Sequence, residues 1–335
     1  MDFLKDIVKE IGDEYTQLAR DIEGSERFVD TGSFIFNGLV SGSIFGGVSS
    51  NKITAIAGES STGKTFFSLA VVKNFLDSNP DGYCLYFDTE AAVNKPLLES
   101  RGIDLDRLVV VNVVTIEEFR TKALKAVDKY IKMSEEDRKP CMFVLDSLGM
   151  LSTEKEITDA LNEKLVRDMT KSQLVKGAFR MLTLKLGQAN IPLIVTNHTY
   201  DVIGSYVPTK EMGGGSGLKY ASSTIIYLSK KKEKDKTEVV GNIIKAKTHK
   251  SRLSKENQEV NIRLYYDERG LDKYYGLLEL GEIGGMWKNV AGRYEIQGKK
   301  IYAKEILRNP TEYFTDDIMK ELDGIAKSVF SYGTN

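Results

Sequence analysis

At 335 residues the chain is long enough for one large core with small terminal appendages and too long for a disulfide-stapled miniature. Apolar types make up 41% and charged types 28%, close to an ordinary globular chain, which excludes wholesale disorder. The formal net charge is −1, so the average surface offers polyanions no general attraction and any nucleic-acid site has to be local.

Cys84 and Cys141 each stand inside an apolar run and read as buried thiols of a reducing compartment; with His198 and His249 as the two histidines, no Cys/His zinc cluster assembles. No apolar stretch approaches the ~20 residues that a membrane-spanning helix needs. The N-terminus carries acids where a signal peptide would carry bases, and a cytoplasmic protein is expected.

In chain order, Leu4, Ile7, Val8, Ile11, Tyr15, Leu18 and Ile22 recur three or four apart, which predicts one apolar stripe on a helix. Residues 1–30 hold nine acids and four bases, which argues against a membrane surface as its partner. The stripe has two candidate covers, the chain's own core or a neighbouring subunit.

From residue 51, short apolar runs alternate with helical patterns. Strands are predicted at Ile53–Gly58, Tyr83–Asp88, Leu108–Asn112, Cys141–Asp146, 192–198 and 224–229. Runs without polar alternation are buried on both faces, and helices between them imply right-handed crossovers and a mostly parallel sheet, an α/β fold. Thr115-Ile116-Glu117-Glu118 predicts a capping box for a helix running toward Met133. Residues 241–248 and 259–266 alternate and read as an antiparallel hairpin. Residues 219–255 hold eleven bases against three acids, either a solvated hairpin or a local anion-binding surface.

Four segments carry chemistry. Gly58-Glu59-Ser60-Ser61-Thr62-Gly63-Lys64-Thr65 matches G-x-x-x-x-G-K-[ST] between a predicted strand and an amphipathic stretch continuing from Phe66. Its glycines let successive N–H groups face phosphate oxygens, Lys64 reaches the terminal phosphates, and Thr65 ligates magnesium. The apolar strand ending in Asp146 supplies a carboxylate for the same ion. Asp88 and Glu90, at the end of Tyr86-Phe87-Asp88-Thr89-Glu90, offer a base to orient water, with Glu90 the candidate; capping of the next helix is the alternative. His198 ends another buried strand, and the glycine-rich segment 199–217 follows it.

With these residues in line the chain resembles the RecA recombinase superfamily, in particular its phage UvsX branch. The resemblance runs from about residue 28 to 276 and rests on GESSTGKT, YFDTE, MFVLDSLG, EITDALNEK, NHTY, MGGG and HKSR. It implies a RecA-like ATPase core at 31–276, an N-terminal oligomerisation arm at 1–30 and a small C-terminal region at 277–335, whose acidic end is either regulatory or a capping helix. Glu90 corresponds to the family's catalytic glutamate and His198 to its γ-phosphate sensor. Lys250 and Arg252 fall where the family places two bases that reach the ATP of the adjacent protomer. Phe66 and Asn94 match nucleotide-side positions, and the aromatic often found at the position of Leu97 is missing. DNA-binding loops are implied at 151–162 and 200–217, with Lys171, Lys176, Arg180, Tyr200, Met212, Gly213, Gly214, Gly215, Ser216 and Gly217 as contacts.

The resemblance implies an ATP- and magnesium-dependent strand-exchange recombinase, a DNA-dependent ATPase that filaments on single-stranded DNA and pairs it with homologous duplex. A single-strand-binding protein and a mediator would be its partners, and the host bacterial cytoplasm its location. Two alternatives share the pocket: a RecA-fold hexameric helicase, which usually carries more than the fifty residues found here before the phosphate loop, and a recombination mediator that exchanges no strands.

Overall fold

The computed structural model describes residues 2–12, 16–21, 27–163, 169–201, 210–235, 238–296 and 298–333. The elements before the phosphate loop are α1 (Asp2–Ile11), β1 (Phe28–Val29), α2 (Phe34–Ser41), β2 (Val48–Ser49) and β3 (Ile53–Gly58). The central part continues through α3 (Lys64–Ser78), β4 (Tyr83–Asp88), α4 (Lys95–Ser100), β5 (Leu108–Asn112), α5 (Ile116–Ile131), β6 (Cys141–Asp146), α6 (Glu154–Leu161), α7 (Lys171–Gln188) and β7 (Leu193–Asp201). Then come β8 (Lys210–Met212), α8 (Ser216–Ala221), β9 (Thr224–Asp235), β10 (Glu238–Ser251) and β11 (Glu259–Tyr265). The chain closes with α9 (Leu277–Ile283), β12 (Asn289–Val290), β13 (Arg293–Ile296), β14 (Lys299–Tyr302), α10 (Ala303–Ile306), α11 (Pro310–Tyr313) and α12 (Asp316–Phe330).

The main sheet has the strand order β11-β10-β9-β3-β7-β6-β4-β5, with β8 paired to the far end of β7. The six strands from β9 to β5 run parallel, and β10 and β11 add an antiparallel flank. The alternation of side chains along each strand divides the interior into two layers. On β6, Met142 and Val144 enter the layer that holds Phe36, Phe67 and Tyr86. Cys141, Phe143 and Leu145 enter the layer of Phe87, Phe119 and Phe179. Both faces are covered, which explains why β3 and β6 are buried along their whole length.

Register, rather than nearness in sequence, brings the polar strand ends together. Gly58 of β3 lies level with His198 of β7, and Asp88 of β4 lies level with Asp146 of β6. All four positions share the carboxyl edge of the parallel strands, where ligands of open α/β sheets bind.

Several elements differ from expectation. The N-terminal helix stops at Ile11, where Gly12 turns left-handed and its N–H donates to the Val8 carbonyl. Tyr15 and Ile22 of the predicted stripe lie outside the described residues. The strands predicted at 224–229 and 241–248 are longer, because β9 and β10 pair onward through the lysine-rich segment to Asp235 and Glu238. At Thr115 half of the predicted box forms: its hydroxyl accepts from the Glu118 amide, while the Glu118 carboxylate accepts from Val114 instead. The complete box is at Thr153 and Glu156, opening α6.

Among the described residues from α9 onward there is no separate core. Trp287, Tyr294, Ile306, Phe314, Leu322 and Phe330 join the layer of Phe36 and Leu39. The Phe330 ring lies 3.4 Å from where a Cβ on Gly38 would stand, so α12 packs directly against α2 at this point. Asp323 of α12 accepts from the Ser43 hydroxyl at 2.6 Å and the buried Ile44 amide at 2.9 Å, and pairs with Lys327 at 2.7 Å. Asp323→Ala strands that amide and is expected to cost about 2–3 kcal/mol, read from urea unfolding midpoints. A loss under about 0.5 kcal/mol would mean that this contact does not hold α12 in place.

Candidate functional site

The loop between β3 and α3 curls because Ser61 and Gly63 take positive φ, 57° and 90°. A Cβ on Gly58 would meet the Thr62 hydroxyl at 2.8 Å and the Leu228 carbonyl at 2.9 Å, so that position has no room for a side chain. Beyond Gly63, α3 runs for 15 residues with its N-terminus facing the loop. Successive amides, a helix N-terminus and a lysine make a phosphate cradle, and the residues present fit a triphosphate. Lys64 is 6% exposed, and its ammonium lies across the loop on the Gly58 carbonyl at 3.1 Å and the Glu59 carbonyl at 2.8 Å. Burial pulls this ammonium below the ordinary lysine range, while Asp146 and Glu90 push it back.

Asp146 is 3% exposed and doubly held: the Tyr86 hydroxyl donates to Oδ2 at 2.7 Å and the Thr196 hydroxyl donates to Oδ1. Two hydroxyl donors keep the carboxylate fixed, and its remaining lone pairs and the Thr65 hydroxyl are hard oxygens of the kind magnesium takes. Glu90 accepts from the Ser147 hydroxyl at 2.7 Å, and its Oε1 lies 3.2 Å from His198 Nε2. The other ring nitrogen, Nδ1, is 3.4 Å from the Lys64 ammonium. A donating ammonium at Nδ1 puts the ring proton on Nε2, pointing it at Glu90. Burial works to raise the Glu90 carboxyl, and Ser147, His198 and Lys64 together overcome it, leaving the group below its ordinary 4.5. Asp88 accepts from the amides of Glu90, Ala92 and Val93, so it shapes the turn that presents Glu90.

Tyr86, Ser147 and Thr196 were not among the predicted site residues. Each is a hydroxyl inside or directly after an apolar strand that adjoins an acid-bearing strand end, and that placement was the available signal. On the base side, the Asn94 carbonyl oxygen accepts from the Leu97 amide at 3.0 Å and caps α4. Leu97 packs on the core. The half-exposed Tyr266 ring lies 6.3 Å from Phe66, and its hydroxyl donates to Asn242 at 3.2 Å. Arg101, 2% exposed, sits 4.3 Å over the Phe66 ring and donates to the Tyr265 and Asp267 carbonyls, which ties the Tyr266 turn to the start of α3.

The expected DNA-contact residues divide into two sets. Of the first expected DNA-binding loop, 151–162, residues Glu154–Leu161 are helical: Leu151 is buried and α6 follows the Thr153 and Glu156 box. Lys171 faces Glu156 at 3.7 Å. Lys176 and Arg180 line an 840 Å³ groove together with Lys52, Tyr220, Leu184 and Arg252. Tyr200, Gly215 and Ser216 are exposed, and Gly214 partly so, whereas residues 202–209 lie outside the described residues. Met212, expected as a DNA contact, is 8% exposed in the core. The Gly213 amide donates to the His198 carbonyl at 3.0 Å, and Gly217 presses against the Lys176 backbone, where a Cβ would stand 2.7 Å away. These three positions hold the fold in this arrangement. Lys250 and Arg252 are at the opposite end of the sheet from the phosphate loop. Lys250 donates to the carbonyls of Lys219, Tyr220 and Ser222.

A family model, the RecA N-terminal domain, matches residues 2–272. The recombination and repair protein of Enterobacteria phage T4 is 35% identical over 284 residues, covering 84% of this chain and 71% of that protein. Protein RecA of Cereibacter sphaeroides is 29% identical over 275 residues, covering 79% of this chain and 76% of that protein. Protein RecA of Paracoccus denitrificans is 28% identical over 272 residues, covering 79% and 72%. The family model spans 2–272 and the phage protein is 35% identical over 84% of the chain, and the chain belongs to the RecA family.

Proposed function

We propose that the protein is an ATP-dependent DNA strand-exchange recombinase whose nucleotide lies between two copies of the chain in a filament. The position of Lys250 and Arg252 carries this reading. Ser251 pairs with Thr224, and Thr224 pairs with Thr54, four residues before Gly58. Four strand residues span ~13 Å, so these bases cannot serve the phosphate loop of their own chain. They stand at a surface where a neighbour's loop can meet them. The apolar face of α1 supports the same assembly: Phe3, Leu4 and Ile11 are exposed and nothing among the described residues covers them.

Thr65 and Asp146 would hold magnesium, which would supply Lewis-acid polarisation of the terminal phosphate. Lys64 binds the terminal phosphates, and Glu90 orients the attacking water and accepts its proton. His198, between Lys64 and Glu90, reports phosphate occupancy to the segment that follows it. Lys176 and Arg180 give each copy a few DNA phosphate contacts, and repetition along a filament makes these sufficient despite the charge of −1. The pairing of homologous strands is then read by the bases themselves.

Imaging of the purified protein on single-stranded DNA with a non-hydrolysable ATP analogue, together with a D-loop assay, tests the reading. Helical filaments and D-loops are expected. Closed rings would point to a helicase, and filaments without D-loops to a mediator. Lys250→Ala with Arg252→Ala is expected to lower DNA-stimulated turnover by about a hundredfold while leaving ADP affinity within twofold. Unchanged turnover would remove these residues from the site.

A further inference from the structure

Two lysines from outside the motif reach the phosphate loop. The Lys210 ammonium on β8 pairs with the Glu59 carboxylate at the second position of the loop. Lys230 on β9 donates to the Ser61 carbonyl. Glu59 and Lys210 are both exposed, and an ion pair of that kind adds little to folding stability. Its consequence is local. Glu59 puts a negative charge on the rim of a cradle built for a polyanion, where like charges repel. The hydrogen bond and charge of Lys210 hold the Glu59 carboxyl below its ordinary range.

Lys210 is also rooted in the hairpin that leaves the site. β8 pairs with β7 as Asp201 with Lys210, Tyr200 with Glu211 and Thr199 with Met212. One residue earlier on β7 stands His198, 3.4 Å from Lys64. The pair therefore joins the phosphate loop to a strand inside the second expected DNA-binding segment, 200–217.

We propose that Lys210 is a positioning residue for the triphosphate: it neutralises Glu59 at the rim of the phosphate loop, and a DNA phosphate that draws Lys210 away re-exposes that charge to the nucleotide. The inference rests on the reading of the site as ATP- and DNA-binding. It gives DNA one route by which to loosen nucleotide, and by reciprocity nucleotide one route by which to hold Lys210 off DNA.

ADP affinity at low salt, measured by calorimetry with and without an oligothymidylate, tests it. Lys210→Ala is expected to weaken ADP binding about fivefold, an effect that fades as salt rises, and Lys210→Arg to restore it. Adding Glu59→Gln to Lys210→Ala removes both charges and is expected to return ADP affinity to within about twofold of wild type. With the oligonucleotide present, the double variant should bind ADP about threefold more tightly than wild type, because its loop no longer has a charge to unmask. Unchanged affinity in Lys210→Ala, additive effects of the two substitutions, or identical responses to oligonucleotide would overturn the proposal while wild type still binds ADP. No ADP binding by wild type would overturn the reading beneath it.

Discussion

Lys64→Ala is expected to abolish nucleotide-dependent behaviour, with turnover and triphosphate affinity each falling about a hundred- to thousandfold. The side chain is nearly buried, and its ammonium is held in the mouth of the loop by two backbone carbonyls. The charge already stands at the loop, so removing it removes the cation a phosphate would draw from those carbonyls. The fold should not suffer. Burial pulls the Lys64 ammonium below its ordinary range, which means that the folded state disfavours the charge. The variant's unfolding midpoint is therefore expected to match or exceed wild type, which separates a lost site from a lost fold. Wild-type turnover in a folded Lys64→Ala protein would place the chemistry elsewhere.

Glu90→Gln is expected to separate binding from chemistry. Hydrolysis should drop by about a hundred- to ten-thousandfold, while ADP affinity stays near wild type, because the amide keeps its place beside Ser147 and His198 but accepts no proton. Single-turnover hydrolysis alongside ADP titration reads the two effects apart. The pH dependence follows from the same contacts. The Glu90 carboxyl lies below its ordinary 4.5 in the fold, so its share of stability is present above that value and is lost as pH falls through the lower, folded one. Glu90 is thus already ionised across neutral pH, and no acid limb from it is expected between about pH 6 and 8. A limb near neutrality that vanished in Glu90→Gln would contradict this account of the carboxylate.

What was legible in the sequence was whatever depends on a local pattern. The runs ending at Gly58, Asp88 and Asp146 are strands with the expected limits, because a strand buried on both faces needs uninterrupted apolar residues and a polar residue ends it. The phosphate loop carries its own geometry in its glycines. What was not legible depends on register. That Tyr86 and Thr196 would hold Asp146 follows from the β4-β6-β7 pairing, which no single strand encodes. Tyr266 is distant in sequence from Phe66 and meets it only after β11 has joined the sheet. Composition misled in one place: a glycine-rich segment suggested open amides, yet Gly213 and Gly217 serve close packing and a hairpin bond. The reach of Lys210 to Glu59 was beyond pattern reading altogether.

The central claim, that one chain's phosphate loop is completed by bases from another, is tested most directly by mixing two inactive proteins. Lys64→Ala retains Lys250 and Arg252, and the Lys250→Ala, Arg252→Ala variant retains its phosphate loop. In a head-to-tail polymer that assembles at random from equal amounts, about a quarter of the junctions combine an intact loop with intact bases. DNA-stimulated ATP turnover in the mixture is expected to recover toward that fraction of wild type. A mixture no more active than its separate components would contradict a shared site.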